Sequence, residues 1–293
     1  MPHVRVNGIG IEYEEFGQQD STPVLLIMGL GAQMVQWDER FCNLLANKGF
    51  RVIRYDNRDV GLSTKLDQQC PDPGPLFVDV VQGKTVVPPY TLEDMADDAA
   101  GLLQELGIPA AHIIGASMGG MIAQSLAIRH PERVLTLTSI MSTTGNPELP
   151  QADPDVLALL AQPIPTEREA AIEHAVMLSR AIGSTGFEFN EERSRLLAEL
   201  SYERDPDPLG PVRQILAILT AASRKDALRS VAAPTLVIHG AADPLVPIAG
   251  GFDTAEAIPG AKMLVIEGMG HDMPEGAWPR LTDAFLELTR QIG

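Results

Sequence analysis

Three short apolar runs in this chain are each followed by a segment with helical periodicity. They read PVLLIMG from residue 23, HIIGAS from residue 112 and PTLVIHG from residue 234. An unbroken apolar run of this length is typical of a strand that is buried on both faces of a parallel sheet. Because strands that alternate with helices form a parallel sheet covered on both sides, the chain predicts an α/β fold with a mostly parallel sheet.

Two regions depart from this alternation. Residues 3–16 alternate around Asn7-Gly8, which predicts a starting hairpin that adds antiparallel strands at one edge. Residues 145–223 contain helical patterns without a convincing strand, and we interpret them as a helical cap inserted between two strands. The fold core is therefore predicted in two parts, residues 1–144 and 224–293.

Three further segments are interpreted from local signals. The long, proline-rich stretch 70–90 is interpreted as a loop at the mouth of the functional site. Helices are predicted from Thr91, with Asp94 at the reciprocal capping position, and from Thr166, with Glu169 at the same spacing.

Charge and cysteine content restrict the partners of the chain. The 293 residues carry a formal net charge of −17, which repels phosphate backbones and disfavours nucleic-acid binding. The chain shows no secretory signal and no apolar run approaching the ~20 residues of a membrane span, so we expect no membrane partner and a cytoplasmic location. Cys42 and Cys70 lack metal-ligand spacing, and we interpret them as free thiols.

The segment Gly115-Ala116-Ser117-Met118-Gly119 fits the pattern G-x-S-x-G between a strand and a helix. Its glycines suit a strained turn, in which a Cβ at either flank would clash. The following helix directs its positive N-terminal end at the serine, where an oxyanion would form. The sequence therefore predicts Ser117 as a nucleophile.

A serine hydroxyl needs a base, and the base needs an orienting carboxylate. Of the six histidines, His271 lies in a glycine-rich loop after the last predicted strand, at the sheet edge where ligands bind. Asp243 follows another strand and precedes a proline-containing turn. The order Ser117, Asp243, His271 is the serine, acid, base order of nucleophile-elbow hydrolases. His239 is a candidate for a supporting role beside them, although packing is the favoured interpretation.

Three rival carboxylates are assigned structural roles. Asp272 adjoins the predicted base, so it has little room to bond the ring Nδ1, and it is expected to face solvent or hold its loop. Asp56 and Asp59 are expected to organise their own loop with Arg58.

An oxyanion hole requires preorganised N–H donors, each worth about 3–4 kcal/mol. One predicted donor is the backbone N–H of Met118, the residue after the nucleophile. The other is the backbone N–H of Leu30, with Gly31 as the alternative, because Gly29 lets this loop turn close to the serine.

With these residues assembled, the chain resembles the α/β-hydrolase superfamily over nearly its whole length. The resemblance rests on motifs that occur in the expected order: IMGLGAQ, VIRYDNRDVGLST, GASMGGMIAQSLAIRHPERV, PTLVIHGAADPLVP and IEGMGHDMP. RYDNRD and GMGH are similar to a bacterial branch that includes the aclacinomycin methyl esterases. The resemblance implies an eight-stranded sheet, a helical cap, a triad of Ser117, Asp243 and His271, no metal and no organic cofactor.

Two positions depart from the superfamily pattern. Asp59 stands where D-x-R-G-x-G-x-S has glycine, and Met28-Gly29 replaces the common His-Gly of the oxyanion loop. The second departure is compatible with the mechanism, because the donor is a backbone group.

A serine at the elbow favours acyl transfer to water. Relatives that cleave alkyl halides or epoxides carry aspartate there. We therefore expect a carboxylic-ester hydrolase acting on small to medium, largely apolar esters. Lactonase, amidase or proline iminopeptidase, C–C bond hydrolase and cofactor-free perhydrolase activities stay open, as does a non-catalytic small-molecule receptor. The sequence does not decide between a monomer and a homodimer.

Overall fold

The computed structural model describes residues 2–70 and 72–292. Its strands form one eight-stranded sheet in the order β1-β2-β4-β3-β5-β6-β7-β8. The strands are β1 His3–Val6, β2 Ile9–Phe16, β3 Thr22–Ile27, β4 Phe50–Tyr55, β5 Ala111–Ala116, β6 Val134–Ile140, β7 Thr235–Gly240 and β8 Lys262–Ile266. The pairs β1/β2 and β2/β4 are antiparallel and all other pairs are parallel, which confirms the predicted fold class.

Ten α-helices lie within the described residues. They are α1 Glu39–Ala46, α2 Gly74–Val81, α3 Leu92–Glu105, α4 Met118–Arg129, α5 Pro154–Leu160, α6 Arg168–Ile182, α7 Glu191–Arg204, α8 Gly210–Leu219, α9 Ala249–Ala257 and α10 Trp278–Thr289. Within the described ranges, none is long and apolar enough to cross a membrane.

Strand β3 shows why its sequence is apolar throughout. Leu25 and Ile27 join the cluster that contains α3 and α4, whereas Val24 and Leu26 join the cluster that contains α1 and α10. Successive side chains of a strand point to opposite faces, and here helices cover both faces. All four side chains are 0 % exposed.

The first turn and one helix start were predicted correctly. Asn7 and Gly8 have φ of 50° and 82°, the pair of positive values that a two-residue hairpin turn requires. The capping box of α3 is present, with Thr91 accepting from the Asp94 N–H and the Asp94 carboxylate accepting from the Thr91 N–H.

Two local interpretations were wrong. Helix α6 is capped by Glu167, whose carboxylate accepts from the Ala170 N–H, so the Thr166/Glu169 box does not form. The 70–90 stretch contains helix α2, with Pro75 in its first turn, rather than loop alone. Proline is well placed there because the first helical N–H groups have no intrahelical acceptor.

Helices α5 to α8 lie between β6 and β7 in the chain. In the following text "the cap" means residues 145–223, the range proposed from the sequence. The contacts of the cap with the loops at the sheet edge contribute to the geometry of the candidate active site.

Candidate active site

The turn between β5 and α4 holds Ser117 in a strained conformation. Its φ of 55° and ψ of −120° lie in a region that residues other than glycine rarely adopt. A Cβ added at Gly115 would lie 2.1 Å from the Gly119 carbonyl oxygen, and one added at Gly119 would lie 2.1 Å from the Ile27 carbonyl oxygen. Gly115 is therefore required by the close approach of the first turn of α4, and Gly119 by the packing of that turn against the end of β3.

We expect Gly119→Ala to lower the free energy of unfolding by about 3 kcal/mol, the upper end for over-packing, because backbone atoms cannot move aside easily. Urea unfolding followed by circular dichroism measures this. Gly74→Ala is the control, since its Cβ would meet only an Asp72 carboxylate oxygen at 3.1 Å. Equal stability of the two variants would contradict the packing argument.

The three side chains predicted from sequence meet in one hydrogen-bonded chain. The Nε2 of His271 lies 2.9 Å from the Oγ of Ser117, and its Nδ1 lies 2.8 Å from the Oδ2 of Asp243. His271 and Asp243 are each 8 % exposed, and Ser117 is partly exposed. When Nδ1–H donates to the carboxylate, Nε2 carries the lone pair that accepts the serine proton.

The Asp243 carboxylate is fully ionised near neutral pH. Its Oδ1 accepts from the backbone N–H groups of Leu245 and Val246, both at 2.9 Å. Burial alone would raise the pKa of Asp243, but hydrogen bonding with His239, His271 and the Val246 N–H outweighs burial and lowers the pKa from 3.8 to about 2. A permanent negative charge therefore faces the imidazole.

His239 is buried behind this carboxylate. Its Nε2 donates to the Val246 carbonyl at 2.8 Å and lies 3.5 Å from the Oδ2 of Asp243. The side chain thus supports the acid and its turn rather than only filling the core. Its placement at the end of β7 was the signal that had suggested a supporting role.

The low pKa of Asp243 predicts a pH-dependent stability. A carboxyl group whose pKa is lower in the folded state stabilises the fold above its ordinary pKa of 3.8, and this contribution is lost as the pH falls through 2. We expect the difference in unfolding free energy between wild type and Asp243→Asn to narrow by about 2 kcal/mol from pH 6 to pH 2. Denaturant titrations at both pH values measure it. A difference that does not change would contradict the ionised, hydrogen-bonded state of this carboxylate.

The rival carboxylates pair elsewhere. Asp272 accepts a hydrogen bond from the Ser184 hydroxyl, and burial raises its pKa. Asp56 and Asp59 form ion pairs with Arg204 and Arg213 of the cap. Both carboxylates also hold their own loop, as expected, because Asp56 accepts from the Leu62 N–H at 2.9 Å and Asp59 from the Leu66 N–H at 2.7 Å. The expected part of Arg58 in this loop is different.

Arg58 instead bonds Asp98 of α3 at 2.7 Å. The ion pairs of Asp56 and Asp59 join the 56–59 loop to the cap, which lies far away in sequence. The sequence carried no local signal for either contact.

The departure at Asp59 has a structural explanation. Its φ is 72°, a backbone conformation that favours glycine and that aspartate tolerates better than most residues. The carboxylate accepts from the Leu66 N–H at 2.7 Å and lies 3.0 Å from the Arg213 Nε. The side chain that replaces glycine therefore links its own loop to helix α8.

The loop after β3 passes close to Ser117. A Cβ at Gly29 would lie 3.1 Å from the Ser117 Cβ and 3.6 Å from its Oγ, so a side chain there would push the loop and Ser117 apart by a few tenths of an ångström. The Gly31 N–H, the alternative donor, is taken by the Gln214 Oε1 at 2.8 Å. Among residues 2–70 and 72–292, no protein acceptor pairs with the backbone N–H of Leu30 or Met118.

The cap also holds the loop that carries His271. The His271 N–H donates to the Ile182 carbonyl at 2.7 Å, and the Gly270 N–H donates to the Ser184 Oγ at 3.0 Å. The Gly186 N–H donates to the Gly268 carbonyl at 2.8 Å. Cap and histidine loop are thus joined largely through backbone groups, and such contacts have no residue-type signature in a sequence.

A model of a protein family described as alpha/beta hydrolase fold matches residues 22–275, which is most of the chain. The chain belongs to the α/β-hydrolase family. This result confirms the resemblance drawn from the motifs. Among the described residues, no group of three or more His, Cys, Asp or Glu side chains is arranged to hold a metal ion.

This α/β hydrolase is similar to individual proteins over most of its length. It is 30 % identical to the rhodomycin D methylesterase DnrP of Streptomyces peucetius, over 94 % of this chain and 94 % of that protein. It is 26 % identical to 3-oxoadipate enol-lactonase 2 of Acinetobacter baylyi, over 88 % of this chain and 85 % of that protein. The structure of a thermophilic esterase from Thermogutta terrifontis superposes with a TM-score of 0.73 at 24 % identity, covering 100 % of this chain and 99 % of that one.

Proposed function

We propose that this protein is a serine hydrolase that cleaves carboxylic esters through an acyl-enzyme intermediate. The observation that carries the proposal is the hydrogen-bonded chain from Ser117 through His271 to the buried Asp243, with distances of 2.9 Å and 2.8 Å. A hydroxyl beside a base that is itself oriented by a carboxylate is the arrangement of an activated nucleophile.

In the acylation half, the Ser117 oxygen attacks the ester carbonyl carbon while His271 Nε2 takes the hydroxyl proton. Negative charge develops on the carbonyl oxygen and is held by the N–H groups of Met118 and Leu30. The tetrahedral intermediate then breaks its bond to the alcohol oxygen, which receives the proton from His271. Asp243 stabilises the imidazolium and keeps its Nδ1 protonated.

In the deacylation half, water replaces the alcohol. His271 takes a proton from water as its oxygen attacks the acyl carbon, and the same N–H groups hold the second oxyanion. The bond to Ser117 breaks, the proton returns to the serine oxygen and the carboxylic acid leaves. One ester and one water give one acid and one alcohol, and no redox partner is needed.

The relatives support an ester of a carboxylic acid as the substrate class. Two relatives that are 30 % identical to this chain, over 94 % of both chains, are named rhodomycin D methylesterases. We therefore propose small to medium, largely apolar esters, with methyl esters among the first to test. A small molecule rather than a nucleic acid is the proposed partner, in keeping with the net charge of −17.

Lactone hydrolysis is the second candidate, since a relative matched over 88 % of this chain is named an enol-lactonase. A lactone is an internal ester, so the same attack, oxyanion and proton return apply. The difference is that the leaving alcohol stays attached to the acyl group. Competing turnover of a methyl ester and a lactone of equal carbon number would rank the two activities.

The proposal is tested by labelling the protein with a fluorophosphonate and locating the adduct by mass spectrometry. Turnover of p-nitrophenyl esters of graded chain length is measured alongside. We expect the adduct on Ser117 and multiple turnovers, with the chain-length profile giving the size of the acyl pocket. Absence of both adduct and turnover would overturn the proposed function.

A further inference from the structure

We propose that Gln214, in cap helix α8, is a positioning residue for the oxyanion hole. The inference rests on the proposed function and deepens it. Gln214 holds the turn formed by residues 29–32 so that the Leu30 N–H stays beside Ser117. The cap would then take part in stabilising the transition state as well as covering the substrate.

The Gln214 amide is fully committed to two loops of the fold core. It is 0 % exposed. Its Oε1 accepts from the Gly31 N–H at 2.8 Å, and its Nε2 donates to the Arg58 carbonyl at 2.8 Å. The reversed amide would set two donors against each other and two acceptors against each other, so the two contacts define its orientation.

The turn that Gln214 contacts has one special peptide. The Ala32 N–H donates to the Gly29 carbonyl at 3.3 Å, and Gly31, at the third position, has a φ of 66°. A positive φ at that position is typical of a type II turn, whereas type I has the middle peptide rotated by about half a turn. Gln214 accepts from the N–H of this middle peptide and so stabilises one of the two orientations.

Helix α8 also limits the position of the turn sterically. A Cβ at Gly31 would lie 3.2 Å from the Pro211 side chain, which indicates how closely the helix lies over the turn. On the opposite side Gly29 approaches Ser117, where a Cβ would be 3.6 Å from the Oγ. The turn is therefore held between the cap and the nucleophile.

This arrangement decides which N–H can serve the oxyanion. The bond to Gln214 occupies the Gly31 N–H and leaves that of Leu30 without a protein acceptor among the described residues. Loss of the Gln214 amide would free the middle peptide to rotate and would loosen the turn. The expected effect falls on the charged transition state, because preorganised donors act where charge develops.

The test compares wild type with Gln214→Met, which keeps the length of the side chain and removes both hydrogen bonds. We expect kcat for a p-nitrophenyl ester to fall by about 10- to 100-fold, because the Leu30 N–H would be misplaced but not lost. KM should stay within about threefold of the wild-type value. Ser117 adds to the carbonyl of a trifluoromethyl ketone, and the adduct carries an oxyanion. This inhibitor should therefore bind more weakly to Gln214→Met than to wild type, by a factor similar to the loss in kcat. The matching unfluorinated ketone should bind equally well to both proteins.

Three further variants keep the test interpretable. Gln214→Glu should recover most of kcat, because a carboxyl group in this buried position is expected to be protonated, with one oxygen for the Gly31 N–H and an O–H for the Arg58 carbonyl. Gln214→Asn, one methylene shorter, replaces the methionine variant if that protein does not fold. Arg193→Met is the matched control, since it removes the cap-to-core ion pair with Asp38 at 3.0 Å without touching the turn, and it should keep wild-type kcat.

The outcomes separate the two proposals. A folded Gln214→Met or Gln214→Asn protein with wild-type kcat, or with equal loss of affinity for both ketones, overturns the positioning role and leaves the proposed function standing. A wild-type protein with no turnover and no adduct on Ser117 overturns both.

Discussion

Ser117→Ala is expected to lower kcat for ester hydrolysis by about 10⁴- to 10⁶-fold with the fold intact. The substitution removes only the hydroxyl group, the proposed nucleophile, whose oxygen lies 2.9 Å from the His271 Nε2. Serine and alanine both carry a Cβ, so the strained φ of 55° at position 117 costs both proteins a similar conformational energy. Steady-state kinetics on a p-nitrophenyl ester measure the loss, and thermal unfolding checks the fold.

Ser125→Ala is the matched control for this result. Ser125 lies in the same helix α4 and is 3 % exposed, and within the described part of the chain its hydroxyl has no hydrogen-bond partner. We expect this variant to keep wild-type kcat. A loss of less than about tenfold in Ser117→Ala would contradict covalent catalysis by this serine.

Asp243→Asn is expected to lower kcat by about 10³- to 10⁴-fold. The asparagine would meet the Nδ1 of His271 with an NH₂ group or with a neutral oxygen that attracts its proton less strongly. The imidazole then favours the tautomer with a proton on Nε2, which cannot accept the serine proton. The His271 Nδ1 and the Asp243 Oδ2 are 2.8 Å apart, and both side chains are almost fully buried. Water therefore cannot substitute well for the lost negative charge of the carboxylate.

The adjacent carboxylate provides the comparison. Asp272→Asn should change kcat by less than about tenfold, because its carboxylate bonds Ser184 rather than His271. Kinetics of both variants at pH 7 measure the contrast. A larger loss in Asp272→Asn than in Asp243→Asn would reassign the acid.

Much of the candidate site could be predicted because its signals are local. G-x-S-x-G between a strand and a helix reports a backbone conformation, and the glycine clashes of 2.1 Å show why those positions accept no side chain. His271 and Asp243 were found because each follows an apolar run, and parallel strands bring such ends to one edge of the sheet. The geometry then places both beside Ser117.

The wrong interpretations were also local ones. Thr166/Glu169 has the spacing of a capping box, but Glu167 competes with it and caps α6. The long, proline-rich stretch 70–90 was interpreted as a loop, although Pro75 lies in the first turn of α2, where proline is compatible with a helix. In each segment the short pattern is compatible with more than one cap or conformation. The folded structure adopts only one of them.

The sequence by itself determined the order of strands and helices, the elbow and the candidates for nucleophile, base and acid, because these depend on periodicity and backbone sterics within a few residues. Only the tertiary structure decided how the cap engages the site. Gln214 meets Gly31 across 183 residues of sequence, and Ser184 meets Gly270 across 86. Each of these contacts pairs a side chain with a backbone group. Because every residue carries a backbone, no residue type marks the second partner in the sequence, and the contact forms only when the cap packs on the sheet-edge loops.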